Sequence, residues 1–110
     1  AGHTLNYPML AGSGDDAYIE VFRDVLRPEI DRVQPEVILI SAGFDAHRDD
    51  PLAGMDLTEN GYAALTSILR EAADRHCGGR IISLLEGGYD LRALSASAEA
   101  HLEALGAFEE

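Results

Sequence analysis

The chain has 110 residues, enough for one compact domain, and 46% of them are apolar, which excludes a disordered segment. Acidic residues number 20 and basic ones 8, and the net charge of −12 disfavours direct nucleic-acid binding because such a surface repels phosphate. Cys77 is the only cysteine, so an internal disulfide and a cysteine-built zinc site are both excluded, and a reducing cytoplasm is the expected setting. No apolar run approaches the roughly 18 residues that span a bilayer, and no basic–apolar leader opens the chain, so neither membrane association nor export is expected.

Residues 4–10 lean apolar around Pro8, which cannot donate to a ladder; an edge strand or an extended lead-in is expected there. Gly12, Ser13 and Gly14 break the chain, and Asp15 or Asp16 can cap a helix starting there. Ile19, Phe22, Val25, Leu26, Ile30 and Val33 then recur at helical spacing, with Pro28 placed to kink or divide the helix. Gln34 and Pro35 end it. Val37, Ile38, Leu39 and Ile40 form a continuous apolar run, the pattern of a strand covered on both faces. Residues 41–56 carry no periodicity and read as a long ordered loop.

Thr58 caps a second helix whose apolar stripe is Tyr62, Leu65, Ile68, Leu69 and Ala72, and Cys77, Gly78 and Gly79 stop it. Ile81, Ile82, Ser83, Leu84 and Leu85 read as another buried strand, with a tight turn after it over residues 86–90. A last helix over Leu91–Leu105 is expected to turn Leu94, Ala98, Leu102 and Leu105 inward. This order, β-α-β-α-β-α, predicts an α/β fold with a parallel sheet and helices on both faces. Three strands make a narrow sheet. Its apolar edge implies further strands in a longer parent chain, or self-association through that edge.

In an open parallel sheet, ligands bind beyond the carboxyl ends of the strands, where the loops 41–56 and 86–90 both begin. In the first loop, Asp45 comes soon after the strand and suits a divalent metal, or alternatively forms a turn. His47 could share such a metal, and Asp49 and Asp50 read as solvated charges before Pro51. In the second, Gly87 and Gly88 permit a sharp turn and close approach of a ligand. Tyr89 there is either an oxyanion donor or a packing residue. Neither a dinucleotide fingerprint nor a phosphate loop occurs after any strand.

The run from Ser41 to His47 (Ser, Ala, Gly, Phe, Asp, Ala, His), with Asp50, Pro51, Leu52 and then Leu57 and Thr58, resembles the third zinc-ligand loop of class II-like histone deacetylases. Leu85, Glu86, Gly87, Gly88, Tyr89, Asp90 and Leu91 resemble that family's catalytic-tyrosine loop. The group includes bacterial acetoin-utilisation proteins and acetylpolyamine amidohydrolases, all arginase-like three-layer α/β/α folds, and the match is collinear from about Asn6 to the last helix. The resemblance implies that Asp45 ligates Zn2+ and that Tyr89 hydrogen-bonds the acetyl carbonyl and stabilises the oxyanion. It implies that Gly87 and Gly88 line the acyl-lysine tunnel, the Gly87 carbonyl accepting from the scissile amide, and that Leu52 forms part of the wall. Phe44 is expected to pack, and His47 falls where the family varies.

The implied reaction is zinc-assisted hydrolysis of an acetyl-lysine or acetyl-amine amide. Its tandem-histidine base and its other two ligands have no counterpart in this sequence. His3, His76 and His101 do not fall in matching places, and His76 and His101 are expected in solvated or dipole-facing positions on helices. Catalytic zinc sites usually have three protein ligands. The chain is therefore expected to be the C-terminal portion, residues 1–110, of a single deacetylase domain, inactive alone. A non-catalytic assembly piece with vestigial motifs is the alternative. An arginase-like manganese ureohydrolase ranks lower, because the Asp-x-Asp pair of that family meets His47 at its second position.

Overall fold

A computed structural model describes residues 3–109. Helix α1 (Asp15–Val21) runs through a π-helical turn (Phe22–Leu26) into α2 (Arg27–Val33). Next come strand β1 (Ile38–Ala42), helix α3 (Glu59–His76), strand β2 (Ile81–Leu85) and helix α4 (Leu91–Leu105). The strands pair in parallel, Ile38 opposite Ile81 and Ala42 opposite Leu85. The α/β class and the parallel sheet are as expected. The third strand is not formed: residues 4–10 carry no regular structure and stand as the extended lead-in.

Pro28 sits in the first turn of α2, and the π-helical turn just before it divides the helix in two, one of the two outcomes expected. The proline lacks the N–H that Asp24 would otherwise receive in an α-helix, and its ring crowds that carbonyl. The preceding turn widens, and the Arg27 N–H reaches back five residues to the Phe22 carbonyl. Gln34 ends the helix at φ 53°, in the left-handed region.

Thr58 caps α3, its hydroxyl oxygen accepting from the Gly61 N–H at 3.2 Å. Asp15 does not cap its own helix. Its carboxylate accepts from the Thr58 N–H (2.8 Å) and hydroxyl instead, tying the start of α1 to the start of α3. Gly61 makes room for this. A methyl there would overlap the Asp15 carboxylate.

The core lies on one face of the sheet, where Ala42, Phe44, Leu57, Tyr62 and Leu65 are buried against Tyr18, Ile19, Phe22, Ile40, Leu94 and Ala98. Helices α1, α3 and α4 thus share one side. Leu39, Ile82 and Leu84, on the alternate positions of the pleat, are 66%, 53% and 60% exposed. The strands are not covered on both faces here, and no second helical layer stands among the described residues.

In α4 the inward line is Ala93, Ser97 and His101, with Leu94 and Ala98 partly buried and Leu102 exposed. His101, expected in a solvated or dipole-facing place, is 6% exposed. The Thr66 hydroxyl donates to the Tyr62 carbonyl (2.7 Å), so its oxygen accepts from His101 Nδ1 (2.7 Å). Nε2 then accepts from the Ser83 hydroxyl at 2.8 Å. The ring is a satisfied neutral link between β2, α3 and α4.

Candidate active site

Both candidate loops leave the carboxyl ends of paired strands, and the backbone pairing continues past those ends. The Glu86 N–H donates to the Ala42 carbonyl at 2.9 Å, and the Phe44 N–H to the Gly87 carbonyl at 2.8 Å. Phe44 turns into the core, edge-on to Tyr62 with ring centroids 5.0 Å apart, as expected of a packing residue. The next residue, Asp45, lies against two glycines. A Cβ at Gly43 would come within 2.9 Å of an Asp45 carboxylate oxygen, and one at Gly87 within 3.3 Å of the carboxylate. Among the described residues this half-buried carboxylate has no hydrogen bond or ion pair. Its charge adds to burial in raising the Tyr18 phenol above its usual range.

Gly88 is held at φ +143°, a conformation that favours glycine, and a Cβ there would also press on the Leu94 side chain at 2.8 Å. Asp90 caps α4 through the Ala93 N–H at 2.8 Å. Between them Tyr89 is 58% exposed, in the loop that leaves the same edge of the sheet as the one carrying Asp45. Leu52 is exposed in the first loop. Asp45, Gly87 and Gly88 are thus brought together, with Tyr89 and Leu52 flanking them.

Asp50 is the residue of the site that its solvated-charge pattern hides. It is 7% exposed, and one oxygen accepts from the Leu52 N–H at 2.9 Å while the other accepts from the Tyr89 N–H at 2.8 Å. Burial pushes its carboxyl up, but the backbone amides of Leu52, Tyr89, Asp90 and Ala53 outweigh this and hold it below the usual carboxylate range. Asp before Pro in a loop, two residues before an apolar position, was the available signal; it did not reveal a partner 39 residues away.

His47 is also buried, and both ring nitrogens are taken. The Asp49 N–H donates to Nδ1 (3.1 Å), which leaves Nε2–H to donate to Glu59 at 2.7 Å. The ring holds the Glu59 carboxyl below its usual range. It fastens the loop to α3 and is not free to bind a metal. Among the described residues no three His, Cys, Asp or Glu side chains converge to hold one.

A model of the Histone deacetylase domain matches residues 1–105. The chain belongs to the histone deacetylase family. It is 48% identical over 96 residues to "Histone deacetylase 10, chloroplastic" of Oryza sativa subsp. japonica, covering 87% of this chain and 22% of that protein. It is 43% identical over 88 residues to a "Histone deacetylase-like amidohydrolase" of Pseudomonas aeruginosa, covering 80% of the chain and 23% of that protein. Among solved structures, the HDA15 HD domain superposes with a TM-score of 0.86 at 44% identity, over 94% of this chain and 29% of that one. The histone deacetylase Clr3 gives 0.87 at 38% identity, over 94% and 17%. These likenesses establish the deacetylase fold. The chain spans between a fifth and a quarter of the length of the two curated relatives.

Proposed function

We propose that this histone deacetylase-family chain is the C-terminal portion of a deacetylase domain and supplies part of the active site of a zinc-dependent amidohydrolase. Its substrates would be acetyl-lysine or acetyl-amine amides. The observation that carries this reading is the unpartnered Asp45 carboxylate, pressed between Gly43 and Gly87 at the carboxyl end of β1, on the edge that also bears Tyr89. An oxygen donor kept free of internal partners, in a cradle where a methyl would intrude, suits a zinc ligand. Bound there together with ligands from the rest of the domain, zinc would act as a Lewis acid on the amide carbonyl and activate water.

The remaining roles belong to side chains and backbone of this chain. Tyr89 donates its phenolic hydrogen to the developing oxyanion, which an exposed, unpacked ring can reach. Gly87 and Gly88 let the substrate stem pass close to the backbone. The Gly87 carbonyl, already accepting from Phe44, retains a second lone pair for the scissile amide N–H. Leu52 lends apolar wall. A reducing compartment, the cytoplasm first, suits the free, buried thiol of Cys77, which donates to the Pro35 carbonyl. The isolated chain lacks the family's histidine base and should not turn over substrate.

The test is made in the full-length protein. Tyr89→Phe should lower kcat on an acetyl-lysine substrate by on the order of a hundredfold or more while zinc stays bound. Asp45→Ala should lose both zinc and activity. Retained zinc and activity in Asp45→Ala would falsify the ligand assignment and favour an assembly piece with vestigial motifs.

A further inference from the structure

Tyr89 is more than half exposed, so packing against the described residues does little to fix the aim of its ring. Its backbone is fixed instead, by one bond from outside its own loop: the Tyr89 N–H donates to Asp50 Oδ2 at 2.8 Å. The other oxygen of the same carboxylate accepts from the Leu52 N–H at 2.9 Å. Asp50 is in turn anchored, because its own N–H donates to the His47 carbonyl (3.0 Å) and the His47 ring is bound to Glu59 at the start of α3. A buried carboxylate with no basic side chain bonded to it is costly to keep. Here its charge is met by backbone N–H groups, and bonds from N–H to an ionised acceptor are about twice as strong as neutral ones. The result is a rigid bracket between the loop carrying Asp45 and the loop carrying Tyr89.

We propose that Asp50 is a positioning residue, which sets the Tyr89 phenol at a fixed offset from Asp45 by holding the backbone of its loop. The proposal rests on the oxyanion role given to Tyr89 above. A displaced phenol would leave substrate binding nearly intact and weaken the bond formed in the transition state. Asp50 therefore acts on kcat, and acts through Tyr89.

A double-mutant cycle in the full-length protein tests this, with kcat, KM and bound zinc measured for each variant. Asp50→Ala should lower kcat by on the order of a hundredfold, with KM and zinc content little changed. Asp50→Asn, which keeps an oxygen for one of the two amides, should fall between it and the parent protein, and it carries the cycle if the alanine variant does not fold. In a Tyr89→Phe background Asp50→Asn should cost little more, since the group it aims is already gone. Full multiplication of the two losses, loss of zinc in Asp50→Asn, or parental kcat in Asp50→Asn would each overturn the proposal while leaving the functional reading standing. Parental kcat in Tyr89→Phe would overturn that reading and this proposal together.

Discussion

Gly61 and Asp50 show how far single positions depend on partners distant in the chain. On helix propensity alone, Gly61→Ala in α3 should stabilise by ~1 kcal/mol. The added methyl, however, overlaps the Asp15 carboxylate that holds the Thr58 N–H and hydroxyl. Losing a charged acceptor at a part-buried pair costs about 1–3 kcal/mol, so the clash outweighs the propensity. The expected outcome is a lower unfolding temperature for Gly61→Ala in the full-length protein, and a rise would mean that Asp15 moves aside freely. Asp49 and Asp50 look alike in the sequence, yet one is solvated and the other is buried under two loops. The local signal, Asp before Pro, does not show burial, because half of what holds Asp50 is an amide supplied from residue 89.

At the scale of elements, the strands and the two longer helices were legible because continuous apolar runs, a Thr cap and paired glycines act locally. The inner face of α4 was not. Leucines at helical spacing suggested one stripe, but α4 packs through Ala93, Ser97 and His101, small or polar residues that let it lie close to α3 and bond across to Thr66 and Ser83. Of the two forms expected for residues 4–10, the extended lead-in is the one taken, for a related reason: an apolar lean supplies no ladder partner.

The buried histidine has a pH signature. Burial lowers its pKa below the ordinary 6.5, so the folded state binds this proton less readily than the unfolded chain does. Its stabilising contribution is complete above about 6.5 and is lost as pH falls from there toward the depressed folded value. Unfolding temperatures of full-length protein between pH 7.5 and 5.5 should therefore fall less steeply for His101→Gln than for the parent. Parallel slopes would show that the ring takes up its proton without cost.

At the scale of the whole molecule, the acidic surface and the α/β order could be read from composition and periodicity, but the one-sided sheet could not. An apolar run looks the same whether its second face is covered by this chain or by another. Leu39, Ile82 and Leu84 form an exposed apolar face in a chain that covers less than a third of the superposed HDA15 domain. The isolated chain should therefore self-associate in sedimentation experiments. Leu39→Glu with Leu84→Glu should reduce that association, and the same pair should strongly destabilise the full-length protein if the remaining domain covers the face there. A monomeric isolated chain would count against this account.

The pairing of the backbone beyond the strand ends has a mechanical consequence. Because Ala42 with Glu86 and Phe44 with Gly87 stitch the two loops to each other, a thermal excursion of one carries the other along. The separation of the two loop backbones is then held more tightly than the place of either, which is the kind of stiffness a tape measure has along its length even when both ends are swinging.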